Sequence, residues 1–193
     1  MTLEEKAGLR RNMHERLLAI DQAEVARWTN VINVRLVEEV IPESARTIML
    51  YLAQDRELNL DPAIERLLSM GRTVAIPGVD DTGSGMRPIQ LNTLSPSALH
   101  VDRFGIRVPL KRHAIDPNEL DVVVVPGVAF AYSGARLGRG GGFYDRFLKS
   151  LPEATMRVGA CFKMQLIDAV PTLPHDHPMG LVVTEDGAHS AKN

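Results

Sequence analysis

The sequence predicts an α/β fold, a three-layer αβα single domain around a mostly parallel sheet. Residues 121–126 contain four successive valines, and a strand apolar on both faces belongs in the middle of a sheet that is covered on both sides. Along the rest of the chain, segments with helical spacing alternate with short apolar runs, which is the order that builds parallel sheets.

Leu3, Leu9, Met13, Leu17 and Ile20 recur at helical spacing among charges and predict a helix over 3–20. A second helix over 24–40 carries Val25, Trp28, Val31, Ile32 and Val37 as its inner stripe, and Pro42 ends it. Trp28 reads as core. Residues 47–52 (TIMLYL) form a buried strand. Asp61 and Pro62 then read as N-cap and first helical position, Ile64, Leu67 and Leu68 form that helix's inner face, and Gly71 closes it. A short strand over 73–76 follows. Residues 78–87 have the composition of a loop, and Ser95-Pro96 starts a helical turn. After the valine strand come a glycine-rich loop, an amphipathic helix over 144–151, and strands over 158–162 and 181–184. Residues 1–187 make one domain, and 188–193 are expected to be a loose tail.

The composition is that of an ordinary globular protein, 45% hydrophobic and 24% charged, with a formal net charge of −2. That net charge does not point to a duplex nucleic-acid or anionic-membrane partner, both of which need a concentrated positive field, and a local basic patch stays open. Cys161 is the only cysteine, so no internal disulfide forms, and its apolar surroundings predict a buried structural thiol. The charged start of the chain lacks a signal-peptide core, and no run approaches a membrane span of about 20 apolar residues. A cytoplasmic protein is expected.

The chemistry concentrates in VPGVAFAYSGARLGRGGGFYDRFL, residues 125–148. Glycines 138, 140, 141 and 142 lie between a buried strand and a helix, so consecutive amides can converge on an anion at the helix's positive end. Arg136 and Arg139 add charges suited to phosphate, and Asp145 stands where a carboxylate can hold Mg²⁺ against phosphate oxygens. Walker A spacing is excluded because Phe143-Tyr144 follow Gly142, and the dinucleotide fingerprint fails at the same place.

LGRGGGFYDRFL, preceded by VPGVAF and Gly134-x-Arg136, closely resembles the signature of the 5-formyltetrahydrofolate cyclo-ligase family, also called methenyltetrahydrofolate synthetase. Lys6-x-x-x-Arg10, Glu57 after the first strand, and LPHDHPMGLVVTE fall in the family's order, so the resemblance covers nearly the whole chain. It implies conversion of 5-formyltetrahydrofolate to 5,10-methenyltetrahydrofolate with ATP and Mg²⁺ as cofactors. It implies that Lys6 and Arg10 bind ATP phosphates together with Arg136, Leu137, Gly138, Arg139, Gly140, Gly141, Gly142, Phe143 and Tyr144. Arg139 and Tyr144 are the implied catalytic residues, and Asp145 and Asp176 the implied metal ligands. Glu57 and the loop from Arg139 through Gly140, Gly141 and Gly142 to Phe143 are the implied folate contacts.

Four positions depart from the family pattern. Ala131 and Val108 stand where acidic residues are common, Gly180 stands where a second Asp often precedes the last strand, and Phe143 replaces the first of a tyrosine pair. These departures bear on folate affinity and keep two alternatives open. One is a sugar-phosphate or CoA-linked enzyme using the same loop, and the other a nucleotide- or folate-binding paralogue without turnover. On the residues alone, Lys6, Arg10 and Arg11 read as a solvated helix face, and His175-Asp176-His177 as a proline-flanked loop lacking the further ligands that zinc requires.

Overall fold

The computed structural model describes residues 3–54, 56–79, 85–102, 105–173 and 176–191. Helix α1 (Leu3–Leu18) is followed by α2 (Gln22–Arg35), strand β1 (Thr47–Met49), helix α3 (Asp61–Ser69), and the strands β2 (Thr73–Val79) and β3 (Met86–Leu91). A hairpin of β4 (Leu99–Val101) and β5 (Arg107–Pro109) precedes β6 (Val122–Val125), β7 (Ala129–Ala131) and β8 (Arg136–Leu137). Helix α4 (Phe143–Ser150), β9 (Met156–Ala160), β10 (Leu166–Ile167), β11 (Leu181–Val183) and β12 (Ala188–Ser190) complete the chain.

Among the described residues the main sheet runs β12-β11-β9-β6-β1-β2-β3. Its inner neighbours are parallel, and only the edge strands β3 and β12 pair antiparallel. The valine strand β6 is central. Val122 and Val124 join one buried cluster with Met13 of α1, Ile32 of α2 and Ile64 of α3. Val123 and Val125 join a second cluster with Phe147 and Leu148 of α4. Strand alternation thus feeds both covered faces, giving three layers, and each fully buried valine contributes roughly 1.5–3 kcal/mol. Cys161 is buried in the second cluster.

Asn33 locks the helices on the first face. It donates to Thr29 O at 2.7 Å and Asn59 O at 2.9 Å, and accepts from Ala63 N at 3.0 Å, so this buried amide is satisfied. Trp28 is half-buried against the core, its ring 5.9 Å from that of Phe162.

Several expectations are corrected. The supposed tail pairs with β11 through Ser190, because β11's outer edge would otherwise leave a row of backbone groups without ladder partners; residues 192 and 193 lie outside the described residues. The expected loop over 78–87 is a hairpin in its described parts, with β2 running to Val79 and β3 starting at Met86; residues 80–84 lie outside the description. Pro88 hides β3 from pattern reading and is tolerated because the strand is at an edge. The second helix continues to Val40, but as a π-helical turn over Leu36–Val40 that buries Leu36, Val37 and Val40. Asp61 is the first residue of α3 rather than its cap, and its carboxylate is taken by Arg107 at 2.8 and 2.9 Å. No helix among the described residues is long and apolar enough to cross a membrane.

Candidate functional site

A cavity of about 550 Å³ opens where β1, β2 and β6 end, lined by Tyr51 and Gln54 after β1, Gly78 in β2 and Pro126 after β6. Carboxyl ends of parallel strands are where open α/β sheets bind ligands. All fourteen of the residues nominated from the sequence line this one cavity: Lys6, Arg10, Glu57, Arg136, Leu137, Gly138, Arg139, Gly140, Gly141, Gly142, Phe143, Tyr144, Asp145 and Asp176.

The glycine loop is anchored at both ends. Upstream, the hairpin of β7 and β8 turns at Gly134, where a β carbon would lie 2.2 Å from Met179 O. Downstream, Gly142 caps α4 in the left-handed conformation (φ +65°) with no side-chain cap. The first amides of α4 have no intrahelical acceptors, so they and the helix dipole present positive potential to the cavity.

Arg136, only 5% exposed, donates from Nη1 to Pro126 O at 3.1 Å and from Nη2 to Asp145 Oδ1 at 2.8 Å. Its guanidinium lies 5.6 Å from the centre of the Tyr144 ring. Helix α1 closes the site from the amino-terminal side. Arg10 Nε donates to Gly138 O at 2.9 Å, and Lys6 Nζ donates to Asp176 Oδ2 at 2.6 Å. Lys6 is therefore buried rather than part of a solvated face. Arg139 meets Glu57 at 3.0 Å and donates to Gln54 Oε1 at 2.7 Å.

Two phenols complete the wall. Burial, reinforced by the Glu57 carboxylate, pushes both Tyr51 and Tyr144 well above the usual tyrosine range, so each stays protonated. The Tyr144 hydroxyl is buried without a hydrogen-bond partner among the described residues, so its donor is available to an oxygen entering the cavity. Sequence reasoning missed Tyr51, Gln54 and Ile106 as wall residues. For the first two a signal existed, since Tyr51 lies in the last part of the predicted buried strand over 47–52 and Gln54 just beyond it.

A second cavity of about 400 Å³ shares Arg10, Glu57, Gly127 and Arg139 with the first and adds Arg11, His14 and Arg56. Its wall is strongly cationic. Ala131, Val108 and Gly180, the departures noted above, line neither cavity. His175 lies outside the described residues, and no cluster of three metal-ligating side chains occurs among those described.

The model of the 5-formyltetrahydrofolate cyclo-ligase family matches residues 2–185. The chain is 36% identical over 143 residues to a 5-formyltetrahydrofolate cyclo-ligase of Escherichia coli, covering 72% of this chain and 78% of that protein. It is 34% identical over 146 residues to one of Mycolicibacterium smegmatis, covering 73% and 74%. The solved 5,10-methenyltetrahydrofolate synthetase of Aquifex aeolicus superposes with a TM-score of 0.82 at 27% identity, over 97% of this chain and 93% of that one. On this likeness in sequence and fold, the chain belongs to the 5-formyltetrahydrofolate cyclo-ligase family.

Proposed function

We propose that this protein converts 5-formyltetrahydrofolate to 5,10-methenyltetrahydrofolate, using ATP with Mg²⁺ and releasing ADP and phosphate. The observation that carries the reading is the convergence of all fourteen nominated residues on one cavity, drawn from α1, the segment after β1, β8, the glycine loop, α4 and the loop before β11.

A formamide oxygen is a poor leaving group. Transfer of the γ-phosphoryl group to it forms an oxygen–phosphorus bond and breaks the bond to ADP. The neighbouring folate nitrogen then attacks the formyl carbon, and phosphate leaves with the oxygen as the ring closes. Such a transfer asks the protein mainly for positioning and charge neutralisation. Lys6, Arg10, Arg136 and the amides from Gly138 to Tyr144 hold the phosphates. Arg139 and the protonated Tyr144 donate to the transferring group. Glu57 orients the folate, and Arg10, Arg11, Arg56 and Arg139 offer its carboxylates a cationic wall.

Mg²⁺ is usually held by one or two carboxylates plus substrate phosphates, and the two carboxylates Asp145 and Asp176 on one cavity wall fit that donor set. When bound, the ion neutralises charge on the phosphates. The reading without turnover is disfavoured because Ala131, Val108 and Gly180 stand away from both cavities.

The test is direct. Purified protein mixed with 5-formyltetrahydrofolate, ATP and magnesium should form methenyl product, and EDTA should stop it. Folded protein that makes none across a range of folate concentrations sinks the proposal.

A further inference from the structure

Each carboxylate assigned to the metal is held by a cation assigned to phosphate. Lys6 Nζ lies 2.6 Å from Asp176 Oδ2, the two side chains 9% and 11% exposed. Arg136 Nη2 lies 2.8 Å from Asp145 Oδ1, the two side chains 4% and 16% exposed. Asp176 also accepts from Leu173 N at 2.7 Å. Both pairs sit on the wall of the main cavity, and each is neutral as a unit. Arg136 further carries a buried Nε–H with no hydrogen-bond partner among the described residues, so its guanidinium has donor capacity left for an incoming oxygen.

We propose that Lys6–Asp176 and Arg136–Asp145 are exchange pairs. A divalent cation and a nucleotide polyphosphate enter together, and each pair opens to give its carboxylate to the cation and its basic group to phosphate. The inference rests on the nucleotide reading above and adds a rule for how the ligands enter.

The physical reason is the cost of an unpaired buried charge, which exceeds that of a buried pair. A metal alone would take the carboxylates and strand Lys6 and Arg136. A metal-free polyphosphate would take the cations and leave two carboxylates facing phosphate. The two ligands together satisfy all four groups. Their binding is therefore positively coupled, and by linkage each raises the affinity for the other by the same factor.

Calorimetry on the full chain tests this with three probes: ATP in EDTA, magnesium chloride alone, and ATP with magnesium. The wild type should bind the third at least tenfold more tightly than the first, and magnesium alone hardly at all. Asp176→Asn and Asp145→Asn should invert the usual sign. Each should raise affinity for metal-free ATP by about tenfold, one freed charge-assisted contact, while lowering affinity for ATP with magnesium.

Removing any negative charge could favour an anion, so the same step is repeated in a Lys6→Met background. The gain from Asp176→Asn should vanish there, because Lys6, the cation that Asp176 holds, is gone. An equal gain in that background, or no gain from either Asn variant in the native background, overturns the exchange. If Asp145→Asn fails to fold, the Lys6 and Asp176 cycle decides alone. Product formation by the wild type is a separate readout. A wild type that binds ATP with magnesium but makes no methenyl product refutes the activity and leaves the exchange standing, whereas one that binds ATP under neither condition refutes both.

Discussion

Arg139 in the glycine loop meets Glu57 at 3.0 Å, and through Nη1 it also holds Oε1 of Gln54 at 2.7 Å, tying the loop to the segment after β1. Glu57 in turn accepts from Gln54 N at 2.9 Å, so three side chains lock one wall of the cavity.

Glu57→Gln keeps the shape of that wall and removes its charge. The Arg139 side chain is half exposed, so solvent screens the pair and its loss should cost less than about 1 kcal/mol of stability. The functional effect should be larger, because misplacing the loop on the reacting groups can cost roughly 10²-fold in rate. Steady-state kinetics beside a melting curve will check this. Wild-type kcat and KM for the variant would remove Glu57 from the site.

The hairpin of β4 and β5 carries Ile106 to the cavity wall, and Arg107 latches it to the start of α3 through both oxygens of Asp61. Asp61→Asn should break the two-pronged contact at about 1 kcal/mol, since both groups are partly exposed. Amide exchange should then quicken over 99–109 while the main sheet stays protected. Uniform protection across the hairpin would show that the latch does not hold it.

Three buried acids resist ionisation in the fold, which makes its stability depend on alkaline pH. Burial pushes the Cys161 thiol above its ordinary 9.0, and pushes the Tyr51 and Tyr144 phenols above 10.0. The unfolded chain therefore releases these protons at lower pH than the folded one. Their contribution to stability is whole below pH 9 and is lost as pH rises past 9 for the thiol and 10 for the phenols. Each group approaches a slope of about 1.4 kcal/mol per pH unit. Urea titrations from pH 8 to 11 should show the decline, and Cys161→Ala should flatten its first part. The native thiol should also resist alkylating reagents at pH 8 until denaturant is added.

Much of this was legible in the sequence, for reasons that particular residues make plain. The four valines of β6 could be placed because burial on both faces leaves no other pattern. The glycine loop could be placed because glycine is the residue that takes positive φ at least cost, as at positions 140 and 142 with φ of +109° and +65°. Other features are set by distant partners and leave no local trace. Lys6 looks like any solvated lysine until Asp176, 170 positions away, covers it. Asp61 has the local pattern of a cap, and Arg107 takes it over. Strand β12 is too short and polar to announce itself, and only the edge of β11 defines it.

The glycine loop itself supplies the last prediction. Gly141 has no positive φ, and a β carbon there would lie 2.9 Å from Cδ2 of Phe143, a side chain that can turn aside. Gly138 is different, because a β carbon would lie 2.9 Å from Nη1 of Arg136, which is fixed by Pro126 and Asp145. Gly141→Val should therefore fold with a melting temperature close to that of the wild type. Its isopropyl group would still stand among the amides proposed above to hold phosphate, so ATP affinity in magnesium should fall at least tenfold, a loss of about 1.4 kcal/mol. Gly138→Ala should lose both, since displacing a buried guanidinium from its carboxylate strands a charge at roughly 3–5 kcal/mol. Calorimetry and thermal melts on the two variants separate the cases. ATP affinity unchanged in Gly141→Val would mean that phosphate does not approach the loop at this glycine, and the cradle would have to be sought along Lys6 and Arg10 instead.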